Sequence, residues 1–170
     1  NYKSSSRDVK NQLIEFANAK VNGVILDLRK NGGGGLGEAI SMSGLFIGKK
    51  SVVVVRQSLG VEEIHHSSEK SIYDGPLVVL LDRYSASAAE ILAGALKDHG
   101  RSIILGDRTT FGKGTVQNIV QLPKGLGALK VTIAQFYRVS GSSTQNKGVE
   151  SDIVFPSLNN VIQIGESNLT

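Results

Sequence analysis

Between Arg7 and Lys20 the apolar residues Val9, Leu13, Phe16 and Ala17 recur at spacings of three and four, which lays them on one face of a helix. Ser5 or Ser6 stands where such a helix would be capped. The next stretch, VNGVILDLR (21–29), is β-branched and largely apolar and predicts a buried strand running into the glycines of NGGGGLG. A helical pattern resumes in EAISMSGLFIG (38–48), and SVVVVRQ (51–57) and PLVVLLD (76–82) predict two more buried strands. The polar, turn-rich segment between them, SLGVEEIHHSSEKSIYDG, predicts a hairpin or a surface loop. SAAEILAGALKDHG (87–100) reads as a helix with Ala88, Ile91, Leu92, Ala95 and Leu96 toward the core and Gly100 placed to end it. RSIILGD, TVQNIVQL and ALKVTIAQFYRV are strand-like, and a loop-rich tail follows toward Pro156. Strands alternate with helices over the first two thirds and hairpin-like strands come after, so the chain reads as an α/β fold without internal repeats.

A length of 170 residues suits one sizeable core, and 40% hydrophobic with 20% charged residues fits neither disorder nor a membrane span. The longest apolar runs are strand-length, well short of the ~20 residues a spanning helix needs. The formal charge of +4 is mildly basic, but the lysines and arginines are scattered and Trp is absent. A nucleic-acid surface calls for a basic stripe with aromatic or groove-reading elements, so that class is set aside. Without cysteine, disulfides, thiolate catalysis and Cys-ligated zinc are excluded. The polar opening NYKSSSRDV carries no initiator Met and reads as cut from a longer precursor.

Three constellations carry candidate chemistry. Gly32, Gly34 and Gly37 satisfy G-x-G-x-x-G, and Arg56 ends the next strand where a dinucleotide 2′-phosphate could be read. Asp27 and Arg29 speak against it, since a dinucleotide fold's first strand is apolar almost to the first glycine. The run also suits a flexible turn, or a place where bare backbone N–H groups face a developing negative charge. The histidines His65, His66 and His99 lack both a G-x-S-x-G elbow and a metal-ligand spacing. The third constellation joins Ser87 to TTFGKGTVQ (109–117). Ser87 and Glu90 fit a capping box, which would make the serine a helix cap and nothing more. Lys113, however, sits between Gly112 and Gly114 in a β-forming stretch, so it can pack close against another backbone. Gln117, four residues on, would share its side of an extended strand. Serine, lysine and an orienting amide make a nucleophile, a base and a positioner.

With these residues the segment DRYSASAAEILAGALKDHGRSIILGDRTTFGKGTVQ resembles the active-site region of the carboxyl-terminal processing, or tail-specific, serine proteases. VILDLRKNGGGG upstream and FYRVSGSSTQNKGVESDIVFP downstream extend the resemblance over most of Val21 to Pro156. It implies a ClpP/crotonase-like core of stacked ββα units, with residues 1–170 forming the catalytic core of an endopeptidase that cleaves near protein C-termini. The implied nucleophile is Ser87, the base Lys113 and the assisting residue Gln117. The implied oxyanion donors are the N–H groups of Ala88 and of Gly34, with Gly33 as the alternative. No cofactor or metal is implied. Implied partners are protein or peptide substrates with flexible apolar C-termini, docked by a PDZ domain that this stretch does not contain, in an extracytoplasmic, periplasmic setting. Two details depart from the family pattern: Ala89 stands where a third serine is common, and GDRTTFGKG is one residue longer than usual. A non-catalytic ligand- or peptide-binding module on the same fold is the alternative reading.

Overall fold

The computed structural model describes residues 4–123 and 125–169. Residues 1–3, 124 and 170 of the single unit expected from sequence lie outside them. The chain runs α1 (Ser5–Asn18), β1 (Val24–Asp27), α2 (Leu36–Ile47), β2 (Ser51–Gln57), β3 (Glu62–His66) and β4 (Leu77–Leu81). It continues through α3 (Ala88–Asp98), β5 (Ile103–Gly106), β6 (Thr115–Gln121), β7 (Ala128–Tyr137) and β8 (Ile153–Val154), and closes with two 3₁₀ turns, Leu158–Asn160 and Glu166–Asn168.

The strands divide between two sheets. One is parallel, in the order β1-β4-β5-β8; the other is antiparallel, in the order β3-β2-β7-β6. In the parallel sheet Leu77, Val79 and Leu81 of β4 are buried and aligned with Val24 of β1 and Ile104 of β5 in one core. The antiparallel sheet contributes Val52, Val53, Val55, Ala134 and Phe136 to the same core. Helix α3 joins the two sheets, packing on β2, on β5 and on α2. Every residue from Ala88 to Leu96 is buried, as expected of a helix enclosed on all sides. Its small residues let neighbours approach closely, and Gly100 at φ 62° ends it in the left-handed conformation.

The expected α/β class holds, with three local differences. Helix α1 starts at Ser5 behind Ser4, and the Ser5 hydroxyl bonds Glu38 Oε2 at 3.0 Å instead of capping the helix. Its expected core face is only half used: Leu13 is buried and Val9 partly so, while Phe16 remains exposed, because α1 rests mainly on α2. In the tail read as loop, Ile153 and Val154 pair with Leu105 and Gly106. A two-residue strand carries too little periodicity to be seen in a sequence. The dinucleotide reading fails on topology, since Arg56 on β2 belongs to a different sheet from the strand that precedes the glycines.

Candidate active site

The two serines of DRYSASAAE have different surroundings. Ser85 is fully buried; its hydroxyl donates to Leu28 O at 2.8 Å and accepts from Asp82 N–H at 3.0 Å. It therefore ties the end of β1 to the turn after β4. Asp82 completes the knot by accepting from Lys30 N–H at 3.0 Å, Tyr84 N–H at 3.0 Å and Ser85 N–H at 3.0 Å. Ser87 is half-buried and sits at φ 58°, ψ −118°, a sparsely populated backbone conformation for any residue but glycine. Such strain persists only where surrounding structure enforces it, and here the enforcers are visible. Ala86 N–H donates to Asn31 O at 2.9 Å, and Gly33 packs so tightly that a Cβ there would lie 2.8 Å from Ala86 O and 2.9 Å from Ala88 N. Only glycine fits that position, which also holds φ 101°.

This contact brings the glycine run against the start of α3. Gly33 N–H is taken up by Asn31 Oδ1 at 3.0 Å. Among the described residues Gly34 N–H has no acceptor, and Ala88 N–H, at the first position of the helix, has none within it. Both Gly34 and Ala88 line a cavity of about 340 Å³ whose walls also include Ser87, Lys113 and Gln117, with Leu36, Val116 and Phe136 giving it an apolar interior.

Lys113 reaches this cavity from a loop fixed at several points. Gly114 N–H donates to Gln145 Oε1 at 2.7 Å, and Asn146 N–H to Gly112 O at 2.8 Å. A Cβ on Gly114 would come within 2.6 Å of Gln145 N, so the flanking glycine permits the close backbone approach that the sequence suggested. The cavity places Ser87, Lys113 and Gln117 on one wall system, yet no hydrogen bond joins their side chains among the described residues. The Gln117 amide instead donates to Thr115 Oγ1 at 2.9 Å. The pairing of β6 with β7 also slips between Val116 and Gln117. That bulge disturbs the simple alternation used to place Gln117 beside the lysine.

Glu90 is the group the sequence undervalued. It is fully buried and its carboxylate accepts from Ser87 N–H at 2.8 Å, as a capping box would have it. The same two oxygens also accept from the Thr110 hydroxyl at 2.5 Å, Gly112 N–H at 2.8 Å and Lys113 N–H at 2.9 Å. One side chain thus holds the serine turn and the lysine loop at once. Burial pushes the Glu90 carboxyl above the ordinary carboxylate range, against the pull of these four hydrogen bonds. The histidines stay outside the site: His99 Nε2 bonds Ser51 O at 2.8 Å, and His65 lies 3.7 Å from Glu63. Among the described residues no cluster of His, Asp and Glu could hold a metal ion.

Residues 1–155 match the model of peptidase family S41. The chain belongs to this family. It is 46% identical over 173 residues to a tail-specific protease of Haemophilus influenzae, a match covering 97% of this chain and 25% of the relative. It is 39% identical over 140 residues to a chloroplastic C-terminal processing peptidase of Tetradesmus obliquus, covering 82% of this chain and 30% of the relative. Among solved structures, a photosystem II D1 C-terminal processing protease superposes with a TM-score of 0.78 at 33% identity, over 88% of this chain and 39% of that one. This S41 chain therefore spans between a quarter and a third of the length of those two curated relatives.

Proposed function

We propose that the chain is the catalytic core of a C-terminal processing peptidase in which Ser87 attacks the peptide carbonyl and Lys113 takes its proton. The observation that carries this reading is the shared cavity: the strained Ser87, Lys113, Gly34 and Ala88 all line one largely apolar space, and the Gly34 N–H has no acceptor among the described residues. A lysine amine in water is protonated at neutral pH and cannot act as a base. To act as the base, Lys113 must present its amine without the extra proton. The neutral amine accepts the hydroxyl proton as the Ser87 oxygen bonds to the carbonyl carbon. The carbonyl oxygen gains the negative charge and is met by the N–H groups of Gly34 and Ala88. Gly34 is preferred to Gly33 because the Gly33 N–H is already bonded to Asn31. Collapse of this intermediate breaks the C–N bond, and Lys113 returns the proton to the departing amine. Water then releases the acid from Ser87 by the reverse use of the same groups. Gln117 lies in the cavity wall, and as the assisting residue it would exchange its bond to Thr115 Oγ1 for one to the Lys113 amine.

No hydrogen bond joins Ser87 and Lys113 among the described residues, and catalytic hydrogen bonds commonly tighten only around substrate. The substrates proposed are flexible protein C-termini, with a PDZ domain elsewhere in the protein and an extracytoplasmic setting. The test is turnover of an unfolded peptide tail by the full-length protein. Ser87→Ala and Lys113→Ala should each lower kcat by at least 10³-fold, as expected of residues that act as a unit. Undiminished hydrolysis by either variant contradicts the reading, and absence of turnover in the wild type favours the binding module.

A further inference from the structure

The match to family S41 stops at residue 155, yet the chain beyond it lies along the loop that carries Lys113. Asn159 Nδ2 donates to Asp107 Oδ2 at 3.0 Å, and Asn160 Oδ1 accepts from Arg108 N–H at 2.8 Å. Further on, Glu166 N–H donates to Phe111 O at 2.9 Å. Between these points the Arg83 guanidinium donates to Ile164 O, and the Arg83 backbone N–H is itself held by Asp107 Oδ2 at 2.9 Å. Gly165 is buried where a Cβ would lie 2.9 Å from both Phe111 O and Arg83 Nη2, and its φ of 137° excludes most other residues. Glu166 also meets Gln145, the residue whose amide oxygen holds Gly114 N–H.

We propose that residues 157–169 form a strap that positions the Lys113 loop from outside, with Arg83 and Gly165 as its anchors. The inference rests on the reading of Lys113 as the base. Glu90 fixes the loop from within at Thr110, Gly112 and Lys113, and the 144–149 segment holds it at Thr109, Thr110, Gly112 and Gly114, while Phe111 O is left to the strap. The strap takes the loop at 107, 108 and 111, so Phe111 and Gly112 are clasped between a buried carboxylate and a surface segment. Neither Arg83 nor Gly165 lines the cavity of Ser87, so both act through the loop and are positioning residues.

The strap is tested in the full-length protein with Gly165→Val and Arg83→Gln, and with Leu158→Ala as a control, because Leu158 is 79% exposed. Two quantities are read: amide hydrogen exchange over Phe111–Thr115, and kcat with KM on an unfolded peptide, normalised to Ser87 titrated to completion with a fluorophosphonate. Both anchor variants should exchange faster at Gly112 and Lys113 and lose about tenfold or more in kcat, with KM within about twofold, since displacement of a reacting group by ~1 Å costs up to ~10²-fold. Leu158→Ala should change neither. Unchanged exchange, or an unchanged kcat per titrated site, overturns the proposal whatever happens to the melting temperature. A fully active Lys113→Ala enzyme would instead sink the base assignment, and the exchange data would still decide whether the strap orders the loop.

Discussion

At the scale of single residues the site depends on one carboxylate. Glu90 offers two oxygens to four donors: Oε1 accepts from the Thr110 hydroxyl and Gly112 N–H, and Oε2 from Ser87 N–H and Lys113 N–H, so one donor belongs to the serine turn and three to the lysine loop. Glu90→Gln keeps the shape but replaces one acceptor oxygen by an NH₂ group, which then faces N–H donors. Each buried donor left without a partner costs ~1–3 kcal/mol. The variant should therefore unfold at lower urea and lose kcat by about tenfold or more, with KM little changed; equal kcat would show that the hub is not needed to align the site. The motif S-A-S-A-A-E announced the local half of this arrangement, the capping box from Glu90 to Ser87. It could not announce the other half, because Thr110 to Lys113 are some twenty residues away and nothing in their spacing refers back to Glu90. Ser85 was likewise legible only as a neighbour; its bond to Leu28 O depends on how β1 and β4 lie side by side.

Elements explain how such residues meet. The N-terminus of α1 is held to α2 by Glu38, which accepts from Ser6 N–H at 2.7 Å and from the Ser5 hydroxyl. The Ser6 N–H foremost, with the nearby hydroxyls and Arg7, holds the Glu38 carboxyl below its ordinary range against a smaller opposing effect of burial. A carboxyl whose folded value is depressed stabilises the fold fully above its unfolded value of about 4.3, and that contribution is lost as pH falls through the folded value. Wild type should thus be more resistant to urea than Glu38→Gln at pH 7, with the difference closing on acidification below the ordinary carboxyl range. A difference independent of pH would place the effect in packing. The long elements were legible because their apolar periods are strong: β2 ends where SVVVVRQ ends, and α3 fills the span read for it. Periodicity did not reveal which parts of α1 would be covered, nor the bulge at Val116/Gln117, since both are decided by neighbouring elements.

On the scale of the whole molecule, two sheets of opposite character share one core through α3. The glycine run enters from the parallel sheet and the lysine loop leads into the antiparallel one, so the cavity of Ser87 opens where the two meet. Sequence motifs in a fixed order pointed to the family and to candidate residues; only the packing of α3 between the sheets brings those residues to one space. The most direct measurement is the intact mass of the full-length protein after exposure to a fluorophosphonate, with the site read by peptide mapping. A single adduct on Ser87, formed rapidly by wild type and at least ~10²-fold more slowly by Lys113→Ala, is the predicted result. Labelling at another residue, or at an equal rate without Lys113, would contradict it.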